Sequence, residues 1–251
     1  MKNLLRSPAT IALAGLLGVV SIVLSLAAPR AAIFPNPELA RIIFFHLSSA
    51  ILGSIFILVA AYHAIRYLGC KGERFDIRLE SAWNIATVLC VLALTTGIIF
   101  SRAQWGAFWQ WDPRQTSFLL VTLMLFAGLI LRRSFDEPDK RAIAHAGYAA
   151  ITLIPILFLV FVYPRLPHVV QSSFHPSTTV SQGSLDSNYR NVLLVAFAAV
   201  TLATLIVFDR EIRTLTLLRR ILKLNGTMET GGGTSSADGV RGPVVVPADR
   251  R

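Results

Sequence analysis

Residues 39–67 read LARIIFFHLSSAILGSIFILVAAYHAIRY, with no acidic or basic side chain between Arg41 and Arg66. At 1.5 Å rise per residue a helix over Leu39–Tyr67 extends about 43 Å, longer than the roughly 30 Å hydrocarbon core of a bilayer. Other apolar runs of comparable character recur along the chain. Six spans are predicted, at about Ile11–Ala28, Leu39–Tyr67, Ala82–Phe100, Pro113–Leu131, Ala142–Tyr163 and Asn191–Phe208. Composition agrees: 54% of residues are hydrophobic and 15% charged, against about a quarter charged in soluble domains. The fold class that follows is an all-α polytopic membrane protein with six transmembrane helices.

The first run follows Lys2 and Arg6, as a signal peptide would. Its apolar stretch is longer than a signal core and more spans follow, so it is expected to stay as a true helix. The net charge of +10 would suit nucleic acid, but its distribution is topological. Basic residues crowd alternate connections: Lys2 and Arg6; Arg66, Lys71, Arg74 and Arg78; Arg132, Arg133, Lys140 and Arg141; then Arg210, Arg213, Arg219, Arg220 and Lys223. The intervening connections hold only Arg30 and Arg41, Arg102 and Arg114, and Arg165 and Arg190. This positive-inside pattern predicts both termini in the cytoplasm. Residues 1–224 are expected to form the six-span domain, and residues 225–251, with Gly231-Gly232-Gly233 and Ser235-Ser236, a disordered cytoplasmic tail. Cys70 and Cys90 fit no metal-ligand spacing and read as packing residues.

On the outer side, Trp105-Gly106-Ala107-Phe108-Trp109-Gln110-Trp111-Asp112-Pro113-Arg114 carries three of the four tryptophans in seven residues. An aromatic belt spreads its tryptophans over many helices. Clustering instead builds a flat surface suited to a large planar ligand. Gly106 would let that ligand approach the backbone. Asp112-Pro113-Arg114-Gln115 reads as a helix start, with Asp112 as cap, Pro113 in the first turn and Gln115 closing a capping box. Asp112 could also orient an indole N–H or a ligand-facing arginine.

Depth sorts the five histidines. His63 follows His46 by seventeen residues, roughly 25 Å along a helix, so His63 lies near the cytoplasmic end, as does His145. His46, His168 and His175 remain outside. Asn36-Pro37 looks like a cap and first-turn proline, which lets His46 sit at the interface. Each histidine alone suits an interfacial hydrogen bond or a solvated loop. Together, His46, a loop histidine (His175, with His168 as competitor) and a tryptophan platform meet the needs of haem. Two opposed imidazoles saturate its iron, and Arg41, Arg102, Arg114 or Arg165 could pair its carboxylates.

These residues resemble the haem-handling proteins of cytochrome c maturation, whose signature is a W-G-x-x-W-x-W-D segment, and by size and span count the CcmC-type family. Trp105, Gly106, Trp109, Trp111 and Asp112 match that motif, Arg114 follows it, His46 stands at the first histidine position and His175 best fits the second. The resemblance runs from the first span to the sixth. It implies that haem b is bound at the outer face of the cytoplasmic (inner) membrane by His46 and His175 and presented to a membrane-anchored, CcmE-like haem chaperone. It also implies a small membrane partner and ABC-transporter subunits, beside membrane lipid and with no nucleic acid. The chaperone's own histidine forms the bond to haem, so no independent enzymatic activity is expected.

Asp112-Pro113-Arg114-Gln115-Thr116 departs from the D-x-R-L-T ending of that branch and is reminiscent of W-D-P-x-E-T in CcsA. A subunit of a CcsA-like haem-attachment synthase is therefore one alternative. A haem or small-molecule transporter permease is another, although the spans carry few ionisable or broken-helix features beyond Pro155. A membrane b-type electron carrier would need facing histidine pairs within the spans, and the sequence offers none.

Overall fold

The computed structural model describes residues 4–32, 34–175 and 186–231, with side chains through residue 225. Most of these residues are helical, and none of them forms a strand. Helix α1 (Pro8–Ala27) starts where the Ser7 hydroxyl accepts from the Thr10 N–H and Pro8 takes the first turn. A 3₁₀ turn at Leu39–Ile42 leads into α2 (Ile43–Cys70). Helix α3 (Glu73–Trp105) ends at Gly106, whose φ of 82° requires the left-handed region. Helix α4 (Pro113–Arg133) has Arg132 and Arg133 in its last turn, where cations suit the helix dipole. Helix α5 (Pro138–Leu157) passes into a π-helical turn, Phe158–Val162, and a 3₁₀ turn, Tyr163–Arg165. Pro155 lies just before that widening, where its missing N–H breaks the regular ladder. The short α6 (Pro167–Gln171) precedes α7 (Ser187–Gly231).

Six of these helical segments are long and apolar enough to cross a membrane. The chain is a multi-pass membrane protein, and the distribution of its residues says the same. Ile151 and Ile154 are each 75% exposed, whereas Ser48, Ser81 and His145 are fully buried. In water that arrangement would forfeit the hydrophobic contribution; in lipid the apolar surface is solvated and small or polar residues hold helices together. Close approach of α2 and α3 shows this directly, because a β-carbon on Gly53 would stand 3.0 Å from Cys90 Sγ.

The chain divides into two compact units, Met1–Arg213 and Thr214–Arg251. In the first, one end of the bundle is tied by charge. Arg132 donates to both carboxylate oxygens of Asp76 (2.8 and 3.1 Å) and to Glu80 (2.6 Å), and its Nη1 lies 3.1 Å from His145 Nδ1. Asn84 donates to Glu211 at 2.6 Å, joining α3 to α7. The third span was expected from Ala82, but α3 begins at Glu73. Asp76 and Glu80 lower the local hydropathy and so look like a connection; neutralised by Arg132 inside the bundle, they are helix. In the second unit α7 is continuous to Gly231. The expected tail from residue 225 therefore begins inside a helix, and residues 232–251 lie outside those described. Cys90 is buried and Cys70 exposed.

Candidate functional site

At the end of the bundle opposite the Arg132 cluster, the segment before α2, residues from α2, α3 and α4, the α5 extension, the arm after α6 (residues 172–175) and the start of α7 line a cavity of about 940 Å³. That volume lies at the upper end of small-molecule pockets. Two imidazoles face each other across it, His46 from α2 and His175 from the arm, with ring centroids 6.4 Å apart and planes inclined by 40°. His168 is exposed on α6 and is not part of the wall, and His63 and His145 are packed elsewhere in the bundle.

His46 is fixed by the neighbouring helix. Its Nδ1 lies 2.9 Å from the Ala93 carbonyl and 3.1 Å from Thr96 Oγ1. A carbonyl only accepts, so Nδ1 carries the proton and Nε2 keeps the lone pair. Gly97, one turn from Ala93, leaves the room this ring occupies. His175 stays open to the cavity and counts as exposed by surface area. Protein atoms crowd its imidazole and take away part of its hydration. That desolvation, with smaller contributions from His46 and Arg114 against the opposing Asp112, pushes its pKa down to about 4. Its imidazole is thus neutral at ordinary pH.

The arm is held through Asp112. This buried carboxylate caps α4 by accepting from the N–H groups of Arg114 and Gln115. It also accepts from the Ser173 hydroxyl and the Phe174 N–H. The expected capping box does not close. Gln115 Oε1 accepts from the Gln110 N–H, and its Nε2 donates to the Phe108 carbonyl. Trp111, at φ 55°, turns the chain so that Gln115 braces the loop instead of the cap residue. Asn36 likewise does not cap α2. Its side chain donates to the Ala103 carbonyl, and its backbone pairs with the Gln104 side chain. That tertiary partnership, on the end of α3, outcompetes the local one.

Of the tryptophans, Trp105 lines the cavity, in an edge contact with Phe100 (5.4 Å) and a tilted one with Phe174 (5.8 Å). Trp109 and Trp111 lie outside the wall, packed edge to face on each other at 6.1 Å, with Trp111 78% exposed. Gly106 is the α3 terminus rather than part of the wall. Arg114 reaches the wall, where Nη2 donates to the Pro164 carbonyl and the buried Nε has no partner among the described residues. Arg165 and Arg30 also line the cavity, Arg165 donating to the Val160 and Phe161 carbonyls and Arg30 paired with Glu38; Arg41 is engaged with Glu38 and Ala28, and Arg102 with Gly106. Sequence reasoning passed over Gly97, Ser173 and the wall position of Arg30. A lone glycine or serine signals nothing until its long-range neighbour is known.

The site is an apolar cavity with two imidazoles 6.4 Å apart, an aromatic wall and guanidinium groups in its lining. The family model described as CcmC, heme exporter protein C, matches residues 3–226. A heme exporter protein C of Bradyrhizobium diazoefficiens is 28% identical over 186 residues, 73% of this chain and 69% of the relative. That of Paracoccus denitrificans is 29% identical over 102 residues, 41% of this chain and 42% of the relative. That of Escherichia coli K12 is 30% identical over 156 residues, 61% of this chain and 60% of the relative.

Proposed function

This chain belongs to the heme exporter protein C family, and from that premise we propose that it handles haem for cytochrome c maturation, holding haem b between His46 and His175 and presenting it to a membrane-anchored haem chaperone. The observation that carries this reading is the separation of the two imidazoles, 6.4 Å between centroids. Imidazole nitrogen binds first-row metals at about 2.0–2.1 Å, so two rings at this separation are close enough that both could ligate one haem iron. The Ala93 carbonyl accepts from the Nδ1–H of His46, and the depressed pKa of His175 keeps its imidazole neutral, the form that ligates iron. The partnerless Nε of Arg114 suits a haem carboxylate.

When bound, haem supplies the iron and the group to be transferred; the protein supplies ligands, walls and orientation. The distribution of Lys and Arg supports an outer-face site in the cytoplasmic membrane. The relatives' name, heme exporter, suits work within an export complex; ABC-transporter subunits and a small membrane partner are what the family resemblance implies beside it. The test is the absorption spectrum of purified protein loaded with haem. His46→Ala and His175→Ala should each weaken retention and alter the spectrum, while His168→Ala and His63→Ala should not. Loss of the signal in His168→Ala with none in His175→Ala would reassign the second ligand. An unchanged spectrum in both His46→Ala and His175→Ala would end the reading.

A further inference from the structure

Asp112 has more partners than a helix cap needs. It is 4% exposed, and Oδ1 alone accepts from the N–H groups of Arg114 at 2.9 Å and Gln115 at 3.4 Å. That oxygen completes the cap. Oδ2 accepts from the Ser173 hydroxyl at 2.8 Å and the Phe174 N–H at 2.7 Å, across 61 and 62 residues of chain. Ser173 Oγ in turn accepts from the His175 N–H at 3.2 Å. Hydrogen bonds to an ionised acceptor are roughly twice as strong as neutral ones. One buried carboxylate therefore anchors three successive residues of the arm, and the third is His175.

We propose that Asp112 is a positioning residue for the second iron ligand: through Ser173 and Phe174 it holds His175 opposite His46 and makes the tryptophan segment and the histidine arm one unit. This rests on the reading of His46 and His175 as iron ligands. The two ligands are held in unlike ways. His46 sits on a transmembrane helix and is oriented by Ala93 and Thr96. His175 sits on an arm whose backbone is oriented through Asp112. Any displacement of the Trp105–Trp111 segment that carries Asp112 with it loosens His175 and leaves His46 in place. Release of haem from this chain then begins at His175.

Two variants separate this role from helix capping. Asp112→Asn keeps Oδ1, since Asn caps as well as Asp, but replaces the Oδ2 acceptor with a donor. Ser173→Ala removes only the arm's hydroxyl. In the haem-free protein, the Phe174 amide of Asp112→Asn should exchange with deuterium about tenfold faster than in the parent. In the haem-loaded protein, both variants should shift from a two-imidazole to a one-imidazole spectrum and retain haem about tenfold less tightly, the usual scale for partners that orient a ligand. Added imidazole should restore the two-ligand spectrum. Ser172→Ala, whose hydroxyl donates to the Val169 carbonyl, should leave the spectrum unchanged. A two-imidazole spectrum retained in both Asp112→Asn and Ser173→Ala, when His175→Ala loses it, overturns this proposal alone. A parent spectrum indifferent to both His46→Ala and His175→Ala overturns it together with the ligand reading. If Asp112→Asn fails to fold, Ser173→Ala decides.

Discussion

A β-carbon on Gly97 would stand 3.1 Å from Cε1 of His46. Contacts that tight force the neighbour to give by a few tenths of an ångström, and His46 is already pinned on its Nδ1 side by Ala93 and Thr96. The position of the first imidazole is thus set by a missing side chain on the facing helix.

Gly97→Ala should separate two readouts. Alanine is intrinsically better than glycine within a helix by about 1 kcal/mol, so unfolding temperature in detergent should hold or rise. Haem retention should fall roughly tenfold, in line with loss of ligand orientation. Equal retention in a haem titration would show that the ring yields without cost.

Gly128 makes a similar allowance in the core. A β-carbon there would lie 2.5 Å from Cζ2 of Trp83, whose N–H donates to the Leu125 carbonyl at 2.9 Å. Gly128→Ala should therefore destabilise by about 1–3 kcal/mol, as overpacking does, and lower the unfolding temperature. Gly147→Ala, with nothing within 4 Å, is the control and should do no harm.

The Arg132 cluster is expected to matter more than its surface counterpart. Arg132 and Asp76 side chains are 7% and 5% exposed, against 36% and 16% for Arg6 and Asp209. Asp76→Asn leaves a buried guanidinium short of its main partner and should cost about 3–5 kcal/mol. Asp209→Asn should cost no more than about 1 kcal/mol. Thermal unfolding of the parent and both variants at low and high salt tests the ranking, and only the cost of Asp209→Asn should shrink as salt rises.

These cases show what was legible in the sequence. Six spans could be read because lipid-facing and core residues are both apolar, and the run lengths survive any packing. The separation of His46 from His63 and His145 was also within reach, since depth follows from helical rise. The start of α3 was not, because Asp76 and Glu80 become helix only once Arg132, 52 or more residues away, neutralises them. Gln115 was assigned to a local capping box, but it braces Gln110 and Phe108. Nor could a sequence say that Trp105 faces the cavity while Trp111 faces outward. That division depends on the left-handed turn at Trp111 and on Phe174 packing against Trp105.

The same division sets the last expectation. Trp105 is on the cavity wall and Trp111 is 78% exposed, so the tryptophans should not be equivalent. Trp105→Ala removes wall contacts that contribute on the order of 1 kcal/mol beyond area burial and should weaken haem retention several-fold. Trp111→Ala should leave retention near the parent value, since both imidazoles and the wall remain. If the Trp109–Trp111 pair, with Trp111 exposed, is the surface offered to the chaperone, Trp111→Ala should still slow transfer of bound haem to it. A bilayer anchor would behave differently, with reduced membrane insertion and normal transfer per inserted molecule. Single-turnover transfer from equally loaded, equally inserted proteins distinguishes the two. Parent-like transfer by the Trp109→Ala, Trp111→Ala double variant would leave the outer pair as an anchor and confine the haem-contacting role to Trp105.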